Sequence, residues 1–167
     1  MKISHMIGAA LFFLFFIGCE KQHTEYSIEE FMNTLSVRGS SFSNDERSIL
    51  FSSDKTGIFN AYVVDIQSGQ ISQLTNSDTN SIFTISFFPN DDRILYRSDQ
   101  GGNELYHIFV RNTDGSVRDL TRGIRERAMF YGWAHDEKSF YYGSNRRDPR
   151  YMDVYEMDIN TFNQKLI

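Results

Sequence analysis

From residue 37 onward the chain alternates short apolar runs with turn residues, and the runs are too short for helices. Ile49-Leu50-Phe51, Ile94-Leu95-Tyr96 and Phe140-Tyr141-Tyr142 are typical. They are rich in β-branched and aromatic residues, which favour strands. Between them lie Asp54-Lys55-Thr56-Gly57, Pro89-Asn90-Asp91, Asp99-Gln100-Gly101-Gly102 and Asn112-Thr113-Asp114-Gly115. Gly and Asn tolerate positive φ, and Asp and Asn side chains bond nearby backbone, so these clusters predict tight turns. Two segments differ. Ile7–Ile17 is an uninterrupted apolar run. Between Tyr26 and Leu35 the apolar residues Ile28, Phe31, Met32 and Leu35 fall three and four apart, which predicts a brief helical turn or a strap on the body.

The strand pattern repeats. Ser41–Phe51, Ser86–Tyr96 and Gly132–Tyr142 align without gaps, and their leading aromatics Phe42, Phe87 and Trp133 lie 45 and 46 residues apart. Asp54, Asp99 and Asn145 hold the same register, as do Leu74-Thr75 and Leu120-Thr121. A period near 45 suits a four-stranded propeller blade. In the middle repeat the strands are expected at 82–88, 93–98, 104–111 and 117–121. The predicted fold is therefore all-β: a partial β-propeller of three four-stranded antiparallel blades, at about 37–76, 82–122 and 128–167. The leading aromatics are expected to face the core. Phe51, Tyr96 and Tyr142 are expected to recur in the second strands, and Tyr62, Ile108 and Tyr155 in the third.

The N-terminal run is read with Cys19, the single cysteine. One cysteine cannot form an internal disulfide. Eleven apolar residues make a signal-peptide core, whereas a membrane-spanning helix needs about 20. Phe16-Ile17-Gly18-Cys19 resembles a bacterial lipobox, with Phe16 where Leu is usual. The expectation is a lipoprotein signal peptide at 1–18, lipidation of Cys19, and a tether and strap at 19–36. Ordinary secretory cleavage near Gly18, leaving a free thiol, is the alternative. Either way the chain is read as exported. With lipid it would be anchored to a bacterial membrane, facing the periplasm or the cell surface.

Composition changes the picture little. Aromatic residues reach 15%, and the net charge of −5 gives no support to a nucleic-acid partner. No G-x-S-x-G nucleophile elbow occurs, and none of His5, His23, His107 and His135 has a partner assignable from sequence. Asp54, Asp99 and Asn145 resemble metal ligands by type, but one per blade separates them, so turn capping is expected instead. Glu29-Glu30 is read as a solvated helix face. Arg146, Arg147 and Arg150 form a basic loop with Asp148, suited to local pairing with Asp in a solvated loop, or to meeting a substrate carboxylate or another domain. No catalytic, cofactor-binding or metal-binding residues are assigned.

The repeats Ser41–Phe51 and Ser86–Tyr96 resemble the blade signature of Tol-type propellers. Thr56–Tyr62, Phe88–Tyr96, Ser98–Leu105 and Asn145–Asp148 together resemble the N-terminal propeller of bacterial prolyl oligopeptidase family serine peptidases. The resemblance runs from about Tyr26 to Ile167. It departs at Arg146, where Glu is expected, and at Asn44 and His135, where Pro is preferred. It implies a propeller that gates access to a catalytic α/β-hydrolase domain, with that domain and further blades lying outside this sequence and peptides as substrates of the whole. The alternative is a non-enzymatic Tol-like propeller that binds protein partners.

Overall fold

The computed structural model describes residues 25–167. The apolar run and Cys19 lie outside them, so the lipidation expected there is not addressed by the fold. The first described element is α1 (Ile28–Met32). Its N-cap is Ser27, whose Oγ accepts from the Glu30 amide at 3.1 Å while the Glu30 carboxylate accepts from the Ser27 amide at 2.9 Å. This reciprocal capping box satisfies two otherwise orphaned donors. Ile28, Phe31 and Met32 are all exposed.

Twelve strands follow, in three sheets. The first blade is β1 (Val37–Phe42), β2 (Ser48–Ser53), β3 (Asn60–Asp65) and β4 (Ile71–Gln73). The second is β5 (Ile82–Phe88), β6 (Asp91–Ser98), β7 (His107–Arg111) and β8 (Val117–Asp119). The third is β9 (Ala128–Trp133), β10 (Ser139–Ser144), β11 (Asp153–Asp158) and β12 (Gln164–Leu166). Each sheet is an antiparallel meander in chain order, as the repeats predict. The third strand of the middle blade begins at His107 rather than at residue 104, because Glu104 turns at φ 60°.

Neighbouring blades bury their facing sheets. Leu50 and Ala61 of the first blade pack on Ile94, Tyr96 and Phe87 of the second. The other face of the second blade, carrying Leu95, Ile108 and Val110, meets Phe140, Tyr142, Tyr155 and Met157 of the third. Two serines of the repeat link the blades in order. Ser41 Oγ accepts from the Phe87 amide at 3.2 Å, and Ser86 Oγ accepts from Trp133 Nε1 at 3.1 Å. The serine of each blade thus holds the marker aromatic of the next. The Leu-Thr repeats also have a shared role. Thr75 and Thr121 hydroxyls accept from the amides of Ala61 and Ile108, both at 2.9 Å, while Leu74 and Leu120 join the cores between blades.

Two expectations are corrected. Phe42 does not face a core; it is 61% exposed, against 8% for Phe87. The marker position is covered, fully at Phe87 and in part at Trp133, where a preceding blade supplies a serine and a packed face, and among the described residues nothing does this for the first blade. The third-strand repeat is Tyr62, Phe109 and Tyr155, not Ile108. Tyr96 sits opposite Phe109, as Phe51 does Tyr62 and Tyr142 does Tyr155. All three pairs stack, with centroids 5.2–5.7 Å apart. Ile108 is one residue out of that register and so lies on the opposite face.

The first strands share a further device. In β1, β5 and β9 the pairing register shifts at Gly39, Ile85 and Tyr131, each 46 residues from the last. These are β-bulges, which bend a strand and re-aim the side chains beside them. Gly39 has φ 63°, and a Cβ there would come within 3.1 Å of the Thr84 carbonyl oxygen. Gly is required at this bulge both by conformation and by space.

The turns between first and second strands place Glu46 and Glu137 at φ 58° and 59°. Left-handed backbone costs a non-glycine residue about 1 kcal/mol. Glu46→Gly is therefore expected to raise stability by about 0.5–1 kcal/mol, read as a higher urea midpoint. An unchanged or lower midpoint would show that the turn is unstrained.

Candidate functional site

The side chains able to meet a ligand lie around the first strands and in the loops joining second to third strands. Asp54, Asp99 and Asn145 belong to those loops and stay apart, one per blade. Asp54 accepts from the Ser36 amide at 2.8 Å and Asp99 from the Glu104 amide at 2.9 Å. Asn145 accepts from the Arg127 amide at 2.7 Å and donates to the Arg125 carbonyl at 3.2 Å. Asp54 and Asn145 thereby tie the loop to the segment that leads into the first strand of the same blade. Among the described residues no group of three His, Cys, Asp or Glu side chains is placed to hold a metal ion.

His107, which had no partner assignable from sequence, faces Asp119 across β7 and β8, with Nδ1 2.8 Å from Oδ2. The other Asp119 oxygen accepts from the Thr121 amide at 3.0 Å. In the first blade the position equivalent to His107 is Asn60, fully buried, which bonds Thr56, Thr75 and Ser77. The position therefore fastens the start of the third strand to the outermost strand in the second blade and to the segment just beyond it in the first. His107 also borders a cavity of about 600 Å³ with Gln100, Asn103 and Arg122.

The basic loop pairs locally. Arg147 makes two bonds of 2.6 and 2.7 Å to Asp153, and Arg150 two of 2.7 and 3.0 Å to Asp148. The guanidinium bonds hold Asp153 and Asp148 below the ordinary carboxylate range. Arg146 lies 3.7 Å from the buried Glu126, which also accepts from Ser144 Oγ. None of the three is left as a free cation for a ligand.

A second grouping, not visible in the sequence, forms where the first strands bulge. Arg38, on β1, lies over the Phe59 ring at 4.9 Å. Arg97, on β6, lies 5.0 Å from the Tyr106 centroid and 5.6 Å from that of Phe83. Phe59 and Phe83 are themselves 5.0 Å apart. Both arginines line a cavity of about 290 Å³ with Ser52, Thr84, Phe83 and Phe130.

No model of a known protein family matches the chain. Solved structures do resemble it. TolB from Acinetobacter baumannii superposes over 78% of this chain with a TM-score of 0.60 at 20% identity. The fold is a partial β-propeller. A structure from a study of two prolyl endopeptidases superposes over 77% of it with the same TM-score, at 12% identity. In sequence, 114 residues are 25% identical to dipeptidyl aminopeptidase BIII of Pseudoxanthomonas mexicana. This partial propeller spans 16% of that peptidase, 32% of the TolB chain and 21% of the endopeptidase. Among the described residues no helix is long and apolar enough to cross a membrane.

Proposed function

We propose that this chain is the non-catalytic propeller portion of an exported serine peptidase of the prolyl oligopeptidase kind, where it restricts access to a hydrolase domain. The carrying observation is the match to dipeptidyl aminopeptidase BIII, which covers 66% of the chain. The sequence has no nucleophile elbow, and each histidine of the described region serves structure or lies exposed. In this reading the signal segment exports the protein and a lipid on Cys19 holds it at a bacterial membrane. A fluorophosphonate probe should leave the 167-residue chain unlabelled and label the protein encoded by the whole native reading frame. Labelling of the short chain would overturn the non-catalytic assignment. A native frame with no hydrolase segment would overturn the peptidase assignment.

The second reading is a Tol-like propeller that binds protein partners. It is favoured by the higher identity to TolB, 20% against 12% for the prolyl endopeptidase at equal TM-score. The same sequencing of the native frame separates the two.

A further inference from the structure

We propose that the cavity between Arg38 and Arg97 is a binding site for a carboxylate carrying an apolar group. Nothing in the peptidase or the partner-binding reading requires this site, and it stands under either.

The argument starts from how the two cations are held. Each guanidinium lies against an aromatic ring, Arg38 on Phe59 and Arg97 on Tyr106 and Phe83. Such stacking engages the flat face and leaves the N–H edge able to donate. Three other arginines spend that edge on a carboxylate: Arg93 on Asp91, Arg147 on Asp153 and Arg150 on Asp148. Among the described residues neither Arg38 nor Arg97 is in an ion pair, and no acidic side chain lines their cavity. Two like charges are thus brought to one hollow from two different blades, in a chain whose net charge is −5. Both side chains are exposed, so the hollow is open to a ligand.

The backbone is arranged for this. Arg38 sits immediately before the bulge at Gly39, where a side chain is re-aimed. Gly39 in turn packs on Thr84, so the bulge is fixed against the second blade. Ser52 and Thr84 add hydroxyls to the rim, and they are bonded to each other at 3.0 Å. Phe83, Ile85 and Phe130 supply apolar wall. A planar carboxylate matches the paired donors of a guanidinium edge, and a volume of about 290 Å³ admits a group of amino-acid size beside it.

The carboxylate could be a peptide end or an acidic side chain, and three probes separate them. N-acetylphenylalanine carries a free α-carboxylate. Its amide lacks one. The α-benzylamide of N-acetylglutamate carries the charge on its side chain and keeps an aromatic group. Calorimetric titration of the 167-residue chain should show binding of N-acetylphenylalanine at least tenfold tighter than of its amide. Whichever charged probe binds more tightly names the source. Arg38→Gln and Arg97→Gln should each weaken that binding at least tenfold, and Arg147→Gln should leave it unchanged. Arg97→Lys, which keeps charge and stem but loses the fork, should retain the circular dichroism spectrum and still lose most affinity. Equal binding of acid and amide overturns the proposal. So does inorganic phosphate binding more tightly than either acid, or full affinity in both glutamine variants.

Discussion

Trp133→Ala should lower stability by about 3 kcal/mol, while Phe42→Ala, at the same position of the repeat, should change it by under about 0.5 kcal/mol. The indole is held from three sides, with ring centroids 5.1 Å from Phe88, 5.5 Å from Phe130 and 5.6 Å from Phe140. Its Nε1–H donates to Ser86, so truncation also leaves that serine without its partner. Trp133 is only partly buried, which sets the expected loss at the low end for a large aromatic. Phe42 makes no comparable contact and is 61% exposed. Urea midpoints of the two variants decide the matter. Similar losses would mean that the first blade's marker is covered as the third's is.

The second large effect is alkaline. Tyr96 and Tyr142 are 5% and 0% exposed, and burial pushes both phenols up to about 12 from an ordinary value near 10. Asp119 reinforces the rise at Tyr96. The sign follows from which state ionises first. Below pH 10 the phenols are neutral in both states and their burial contributes fully. Between pH 10 and 12 the unfolded chain loses its protons while the folded one keeps them, so stability falls as pH rises. The loss reaches about 2 kcal/mol for each tyrosine near pH 12, a large part of a typical domain's stability. Urea midpoints should therefore drop steeply above pH 10. The drop should be shallower in a Tyr96→Phe, Tyr142→Phe double variant. An equally steep drop there would assign the effect to other groups.

The period, the blade number and the meander within each blade were legible because they rest on local residue types: β-formers in short runs, and Gly, Asn and Asp in turns. What failed depended on neighbours. Phe42 carries the same chemistry as Phe87, but its burial is decided by the sheet in front of it. Ile108 and Phe109 are adjacent strand formers, and one step in register exchanges the faces they pack on. The bulges could not be found from side chains, since Gly39, Ile85 and Tyr131 have nothing in common but spacing. The pairing of His107 with Asp119 needs the register of β7 and β8. The arginine cavity joins residues 59 apart in the chain, which only the stacking of blades brings together. Asp54, Asp99 and Asn145 were visible as a repeat because the loops they brace recur in every blade.

The two junctions between blades are built from different materials. Ser52 and Thr84 lie hydrogen-bonded at the first, beside a modest apolar cluster. The second carries Phe88, Phe140, Tyr142, Tyr155 and Met157, with the Arg93 guanidinium over the Phe88 ring at 4.1 Å and donating to the Ile159 carbonyl at 2.8 Å. In a stacked-repeat protein each unit is stabilised mainly by its immediate neighbours, so the weaker seam is where partial opening begins. The first blade should accordingly peel away while the other two remain together, and its amide protons should exchange with solvent ahead of theirs.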